Sequence, residues 1–211
     1  MPNEKSNSAI RFCKICFNQI KGYCPSSLLL DQAPICSSCL RKLHPDVQVT
    51  FKQGIRFTSV YEYRDEIRDL LFLFKACGDY ELASVFLYAQ ASIFHLKYHD
   101  YYLIPSPSYD EREKRRGFSH VNEMFKVLNL PFLDCLKKTK DVKQADLDYA
   151  HRQKIGKYIC FKGDANLSNK KLLFVDDVVT SGATALACVS LLKKKHPKTV
   201  EVLSMARTLL T

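Results

Sequence analysis

No tryptophan occurs in the 211 residues, and neither a Gly-Lys-Ser/Thr turn nor a Gly-x-Gly-x-x-Gly turn is present. The two missing turns exclude a Walker-type nucleotide loop and a dinucleotide-binding crossover. No apolar run approaches the length that crosses a bilayer, so no transmembrane segment is expected. Met1 to Ser8 is polar and lacks the apolar centre of a signal peptide. A cytoplasmic location is therefore expected, any attachment to the inner membrane being made through partners. Without tryptophan, stacking on bases falls to the 11 Tyr and 13 Phe, and most of the Phe residues are expected in the core.

What is present has an ordinary globular balance, 46% hydrophobic and 26% charged. The length suits a small module followed by one sizeable α/β domain, with the division expected at 1–50 and 51–211. Lys and Arg outnumber Asp and Glu by 32 to 22, and the net charge of +10 favours nucleic acid, anionic lipid or phosphorylated metabolites as partners.

Nine cysteines in a chain expected to be cytoplasmic argue for metal over disulfides. Four of them form two pairs, Cys13-x2-Cys16 and Cys36-x2-Cys39. Two such knuckles close a tetrahedral four-sulfur site with no open position, so a structural zinc ion is expected. Cys24 and His44 are near enough to substitute. Cys77, Cys135, Cys160 and Cys188 lie among apolar neighbours and are expected in the core.

Chemistry concentrates near the C-terminus. Leu172 to Val175 is an unbroken apolar run of the kind found in a parallel strand covered on both faces, and it is expected to end at Asp176 and Asp177. Val178, Val179, Thr180, Ser181, Gly182, Ala183 and Thr184 follow, and then a helical pattern. Free N–H groups at that helix start, with the hydroxyls of Thr180, Ser181 and Thr184, suit a phosphate monoester. Gly182 lets the backbone come close, while the two carboxylates can accept hydrogen bonds from neighbouring ribose hydroxyls. A plain strand end before a capped helix would use some of the same residue types. The whole array fits a ribose-phosphate pocket better.

Upstream, Phe57 to Tyr63 alternates as a strand, Ile67 to Lys75 and Tyr80 to His95 read as helices, and Tyr101 to Ile104 reads as a short strand. His95 and His99 are expected to be solvated or capping. Asp110 to Phe118 reads as a charged loop. Its Arg115, Arg116 and Arg112 suit neutralisation of a diphosphate leaving group, although a hydrated loop without a ligand has the same composition. His120 is expected to cap a helix or face solvent, because no partner for it is visible.

Leu173 to Thr184 resembles the phosphoribosyl-pyrophosphate signature of type I phosphoribosyltransferases. The wider series resembles the competence-protein F (ComF) family of phosphoribosyltransferase-like proteins involved in DNA uptake. It comprises the two cysteine pairs, Leu73-Phe-Lys75 with Gly78-Asp79, Ile104-Pro-Ser-Pro107, Arg115-Arg-Gly-Phe118, Lys143-Gln144 with Arg152, and Asp176 to Thr184. Ser119-His120 departs from the family's usual Asn-Gln, and Lys137 stands where Arg is common, which leaves acceptor specificity open.

The resemblance implies a mostly parallel α/β sheet flanked by helices, with the N-terminal zinc module. It also implies magnesium-dependent binding of phosphoribosyl pyrophosphate at Asp176–Thr184, and a role in natural transformation with single-stranded DNA and other uptake proteins as partners. No acceptor pocket is legible, so transfer activity stays open. A non-catalytic DNA-binding uptake factor, its sugar-phosphate pocket a sensor or relic, is the alternative. Candidate phosphate contacts for DNA are Arg41, Lys42, Arg112, Lys114 and Arg115, with Lys193 to Lys195 weakest because a helix C-terminus also attracts lysines.

Overall fold

The computed structural model describes residues 10–20, 33–139 and 158–208. Its strands are β1 Gln48–Lys52, β2 Ile55–Glu62, β3 Tyr101–Pro105, β4 Leu136–Lys138, β5 Ile159–Phe161, β6 Lys171–Val179 and β7 Thr199–Arg207. A five-stranded sheet runs in the order β1-β2-β7-β6-β3, and β4 with β5 forms a separate ribbon. β1 is antiparallel to β2, whereas the β2–β7, β7–β6 and β6–β3 pairings are parallel. The helices are α1 Ser37–Leu43, α2 Asp65–Ala76, α3 Ala91–Lys97, α4 Asp110–Arg116, α5 His120–Phe125 and α6 Ala183–Lys193.

The central strand explains why the sheet is covered on both sides. Successive side chains of a strand point to opposite faces. Leu173 and Val175 enter one apolar cluster, with Ile67, Leu70, Leu71 and Phe74 of α2 and Val121 and Met124 of α5. Leu172 and Phe174 enter the other, with Ala185, Cys188, Val189 and Leu192 of α6. All four residues of the run are fully buried. Each contributes roughly 1.5–3 kcal/mol relative to exposure, which is the physical content of an apolar run without alternation. Cys13, Ile35, Cys39 and Leu43 from the N-terminal segment join the α2 side of this core.

Three expectations about elements change. β6 continues through Asp176 and Asp177 to Val179, because its pairing with β7 runs on to Val179 opposite Arg207. The single helix expected over 80–95 is instead two 3₁₀ segments, Tyr80–Ser84 and Tyr88–Gln90, followed by α3. Leu82, Ala83, Val85, Phe86, Leu87 and Tyr88 are all buried, and one α-helical stripe cannot bury so many consecutive residues against one core. Asp110–Arg116 is helix α4 rather than a loop, stopped by Gly117 at φ 84°, whose N–H donates to Glu113 O at 2.7 Å. Acids lead that helix and arginines end it, which complements the helix dipole.

The parallel pairings put the carboxyl ends of β2, β3, β6 and β7 along one edge. Ligands of open α/β sheets bind beyond such an edge.

Candidate functional site

Asp176 and Asp177 lie near the carboxyl end of β6 and meet different surroundings. Asp177 is on the α2 side and only 7% exposed. Its Oδ2 accepts from the Lys75 ammonium at the end of α2 and from His120 Nε2 at 3.0 Å. Its Oδ1 accepts from the Val178 amide at 2.6 Å. Burial disfavours the charge, but Lys75 and then His120 outweigh it and hold this carboxyl well below the usual range. On the α6 side, Asp176 Oδ1 accepts from the Asp177 amide at 3.0 Å. Burial and the adjacent Asp177 charge push Asp176 up to about 7, against the weaker pull of Lys138 and Lys75. Two neighbouring carboxylates thus differ in kind, one a fixed anion and one a proton-holding acid near neutrality.

His120 overturns its solvent or capping expectation. It is 8% exposed, and its Nδ1 lies 2.8 Å from Arg116 Nη1. A guanidinium only donates, so Nδ1 accepts and Nε2 carries the hydrogen given to Asp177. Burial, with Lys75 and Arg116 nearby, lowers the His120 pKa and keeps the ring neutral. Arg116 Nε also donates to Lys75 O at 3.1 Å, so this arginine braces the acid pair from behind. A lysine ending an apolar helix before Gly78 was the available signal for this cluster, because Arg116 and His120 belong to separate helices on either side of Gly117.

The loop after β6 opens onto α6. Gly182, at φ 82°, is the N-cap residue, and the Ala183 amide donates to Ser181 Oγ at 3.4 Å. Thr180 is exposed, Ser181 and Ala183 are half-buried, and Thr184 is buried. Sequence reasoning missed Lys52 at the end of β1, whose ammonium donates to Ser181 O at 3.1 Å. No local pattern connects positions so far apart in the chain.

Other expected residues scatter. The side chains of Arg112 and Arg115 lie outside the described residues, as do Cys24, Lys143, Gln144 and Arg152. Arg41, Lys42 and Lys114 are exposed, whereas Lys195 pairs with Asp164 at 2.7 Å. Cys135 and Cys188 are buried as expected, but Cys160 is half-buried and Cys77, the C-cap of α2, is exposed. His95 Nδ1 meets Leu128 O at 2.9 Å, and His99 Nδ1 meets Leu96 O at 3.0 Å.

The sulfurs of Cys13, Cys16, Cys36 and Cys39 all lie within 4.8 Å of one another, and those of Cys16 and Cys36 are 3.8 Å apart. A tetrahedral ion with bonds of about 2.3 Å sets sulfurs about 3.8 Å apart, so this donor set fits a metal. Cys36 caps α1, its sulfur accepting from the Cys39 amide at 3.4 Å. Burial opposes ionisation of Cys13, but the amides of Cys16, Cys36 and Ile15 bring it down to about 7. Burial and the neighbouring sulfurs push Cys39 far up. Four thiolates this close require a cation. His44, exposed at the C-terminal end of α1, is not in the cluster.

No protein-family model matches the chain. It is 25% identical over 187 residues to competence protein ComFC of Streptococcus pneumoniae, covering 87% of this chain and 80% of that protein. It is 29% identical over 153 residues to competence protein ComFC of Bacillus subtilis, covering 71% of this chain and 63% of that protein. Among solved structures, adenine phosphoribosyltransferase from Rhodothermus marinus is similar with a TM-score of 0.41 at 15% identity, covering 81% of this chain and 99% of that one. What the structure itself defines is a mostly parallel sheet flanked by helices, with an acid pair near its carboxyl edge and a four-cysteine cluster near the N-terminus. The two competence proteins bear out the resemblance to the ComF family.

Two outcomes follow from these geometries. Purified protein is expected to carry about one zinc per chain by metal analysis, with the Cys36→Ser/Cys39→Ser double variant losing it and melting lower. A fully folded, metal-free wild type would remove the zinc reading. Folded Asp176 titrates near 7, whereas an unfolded aspartate titrates near ~4. The folded state therefore binds more protons in that window, and this group's contribution to stability falls as pH rises through it. Melting curves of wild type and Asp176→Asn between pH 5 and 8 should diverge in favour of the variant as pH rises. A constant difference would contradict the raised pKa.

Proposed function

We propose that this protein binds phosphoribosyl pyrophosphate with magnesium and acts in natural transformation, where it also holds single-stranded DNA in the cytoplasm. The observation that carries the sugar-phosphate reading is the acid pair at the carboxyl end of the buried strand β6, one short loop from the N-terminus of α6. In this reading Thr180–Thr184 hold the 5′-phosphate. Asp176, on the α6 side, accepts from ribose hydroxyls. Asp177 keeps Lys75 and His120 in place behind it. Magnesium, when bound, neutralises the diphosphate, and the acids hold that complex indirectly through the ribose. Arg115 and Arg116 are the candidates for meeting the diphosphate as its bond to C1 breaks, with a nucleophile as acceptor. The four-cysteine cluster is assigned a structural zinc ion, in a module formed by residues 1–50 ahead of the domain 51–211. The DNA-uptake role rests on the names of the two competence proteins and on the chain's charge of +10.

A second reading is favoured by one specific observation. Asp177 already spends both oxygens on Lys75, His120 and a backbone amide, an arrangement that suits a non-catalytic DNA-binding uptake factor whose pocket senses ligand or is a relic. Both readings share the DNA surface. Phe12 and Phe17 of the cysteine module are 60% and 73% exposed, and Arg41 and Lys42 of α1 are exposed with them. Exposed rings and exposed cations on this segment are the residue types that suit stacked bases and a tracked backbone.

Calorimetric titration of magnesium phosphoribosyl pyrophosphate should show binding to wild type and none to an Asp176→Asn/Asp177→Asn variant of normal fold and metal content. Absence of binding to folded wild type would transfer the weight to the second reading. Affinity for single-stranded oligonucleotides should fall steeply with salt, with the logarithmic slope shrinking by about 0.7 for each phosphate contact removed in Arg41→Ala or Lys42→Ala. Flat salt dependence would defeat the DNA assignment in either reading.

A further inference from the structure

We propose that Lys52 is a direct ligand of the sugar 5′-phosphate, supplied from the edge strand β1. The proposal rests on the ribose-phosphate reading above and adds a residue to it. Lys52 is the last residue of β1, and Gln53 and Gly54 then turn the chain into β2. Both turn residues have positive φ, 51° and 71°, as a two-residue type I′ hairpin requires. The start of the lysine side chain is therefore fixed by one of the tightest connections available. Its ammonium lies 5.8 Å from the centre of the Phe57 ring and donates to Ser181 O. A Cβ added to Gly182 would lie 3.5 Å from Lys52 Nζ and 3.6 Å from the Phe57 ring.

The charge at this position has a chemical use. Thr180 to Thr184 contains hydroxyls, amides and no cation, yet a phosphate monoester is close to a dianion at neutral pH. A carbonyl takes only one of the three ammonium hydrogens. The remaining donors of Lys52 stand at the loop whose backbone is to hold that dianion. A lysine serving only to tie the hairpin to the loop would make the same contact to Ser181, so the test must separate the two roles.

Ribose 5-phosphate, magnesium phosphoribosyl pyrophosphate and magnesium diphosphate are titrated into full-length wild type, Lys52→Met, Lys52→Arg and Lys198→Met. Lys198 is exposed and removes the same charge elsewhere. The expected result is a loss of about tenfold or more in ribose 5-phosphate affinity for Lys52→Met. Lys52→Arg and Lys198→Met should stay close to wild type, and magnesium diphosphate should bind all four alike. Unchanged ribose 5-phosphate affinity in Lys52→Met, with wild type binding normally, would overturn the assignment while leaving the ribose-phosphate reading intact. An equal loss in Lys198→Met, or an equal loss of diphosphate binding in Lys52→Met, would also overturn it. Failure of wild type to bind either sugar phosphate would overturn both the assignment and the reading beneath it.

Discussion

A buried carboxylate without a counter-charge costs several kcal/mol, and the arrangement around Asp177 exists because that cost must be met. Lys75 supplies the counter-charge from α2 and the neutral His120 ring adds a hydrogen bond from α5, so one carboxylate ties two helices to the central strand. Arg116 then links the end of α4 to both, through the His120 ring and the carbonyl of Lys75. Four elements from three distant stretches of the chain are thereby registered on a single oxygen-rich point at the sheet's carboxyl edge. The order of effects is instructive. The anion forces its partners to converge, the convergence fixes the histidine tautomer, and the fixed tautomer leaves the guanidinium a geometry to occupy.

The two aspartates divide their labour because of the strand that carries them. A strand alternates its faces, so neighbours cannot share an environment. Asp177 faces α2 and is charged throughout the working range, while Asp176 faces α6 with a proton held near neutrality. A cation or a set of sugar hydroxyls arriving at the edge would therefore act chiefly on Asp176. The irregularity that makes room for this is local. Each acid accepts from the amide following it, at the one position, Asp177, that the otherwise continuous register with β7 skips.

Much of this was legible beforehand, for identifiable reasons. The run Leu172–Val175 announced a strand buried on both faces because it lacks alternation, and the two cysteine pairs announced a cluster because thiolates at that spacing have few other uses. What stayed hidden depends on burial and distance. His120 reads as a solvent residue until the fold delivers Asp177 and Arg116 to its two nitrogens. Lys52 carries no signal at all, since its partner Ser181 lies beyond strands β2 to β6 and helices α2 to α5 in the chain. The 80–95 segment misled because its apolar residues satisfy a helical period and also exceed it. Propensity could not say that most of the side chains from Leu82 to Ala91 would be buried. The 110–116 segment misled in the opposite direction, as its density of charge suggested solvent while the ordering of that charge favoured a helix.

The cysteine cluster is part of the same apolar body as Phe74 and Leu173 rather than an appendage. Any ion held by those four sulfurs in the folded state alone adds to folding free energy in proportion to the logarithm of its free concentration. Were such an ion bound there, its loss would lower the stability of the same core that carries the sheet edge and its acid pair, without touching one residue of that edge.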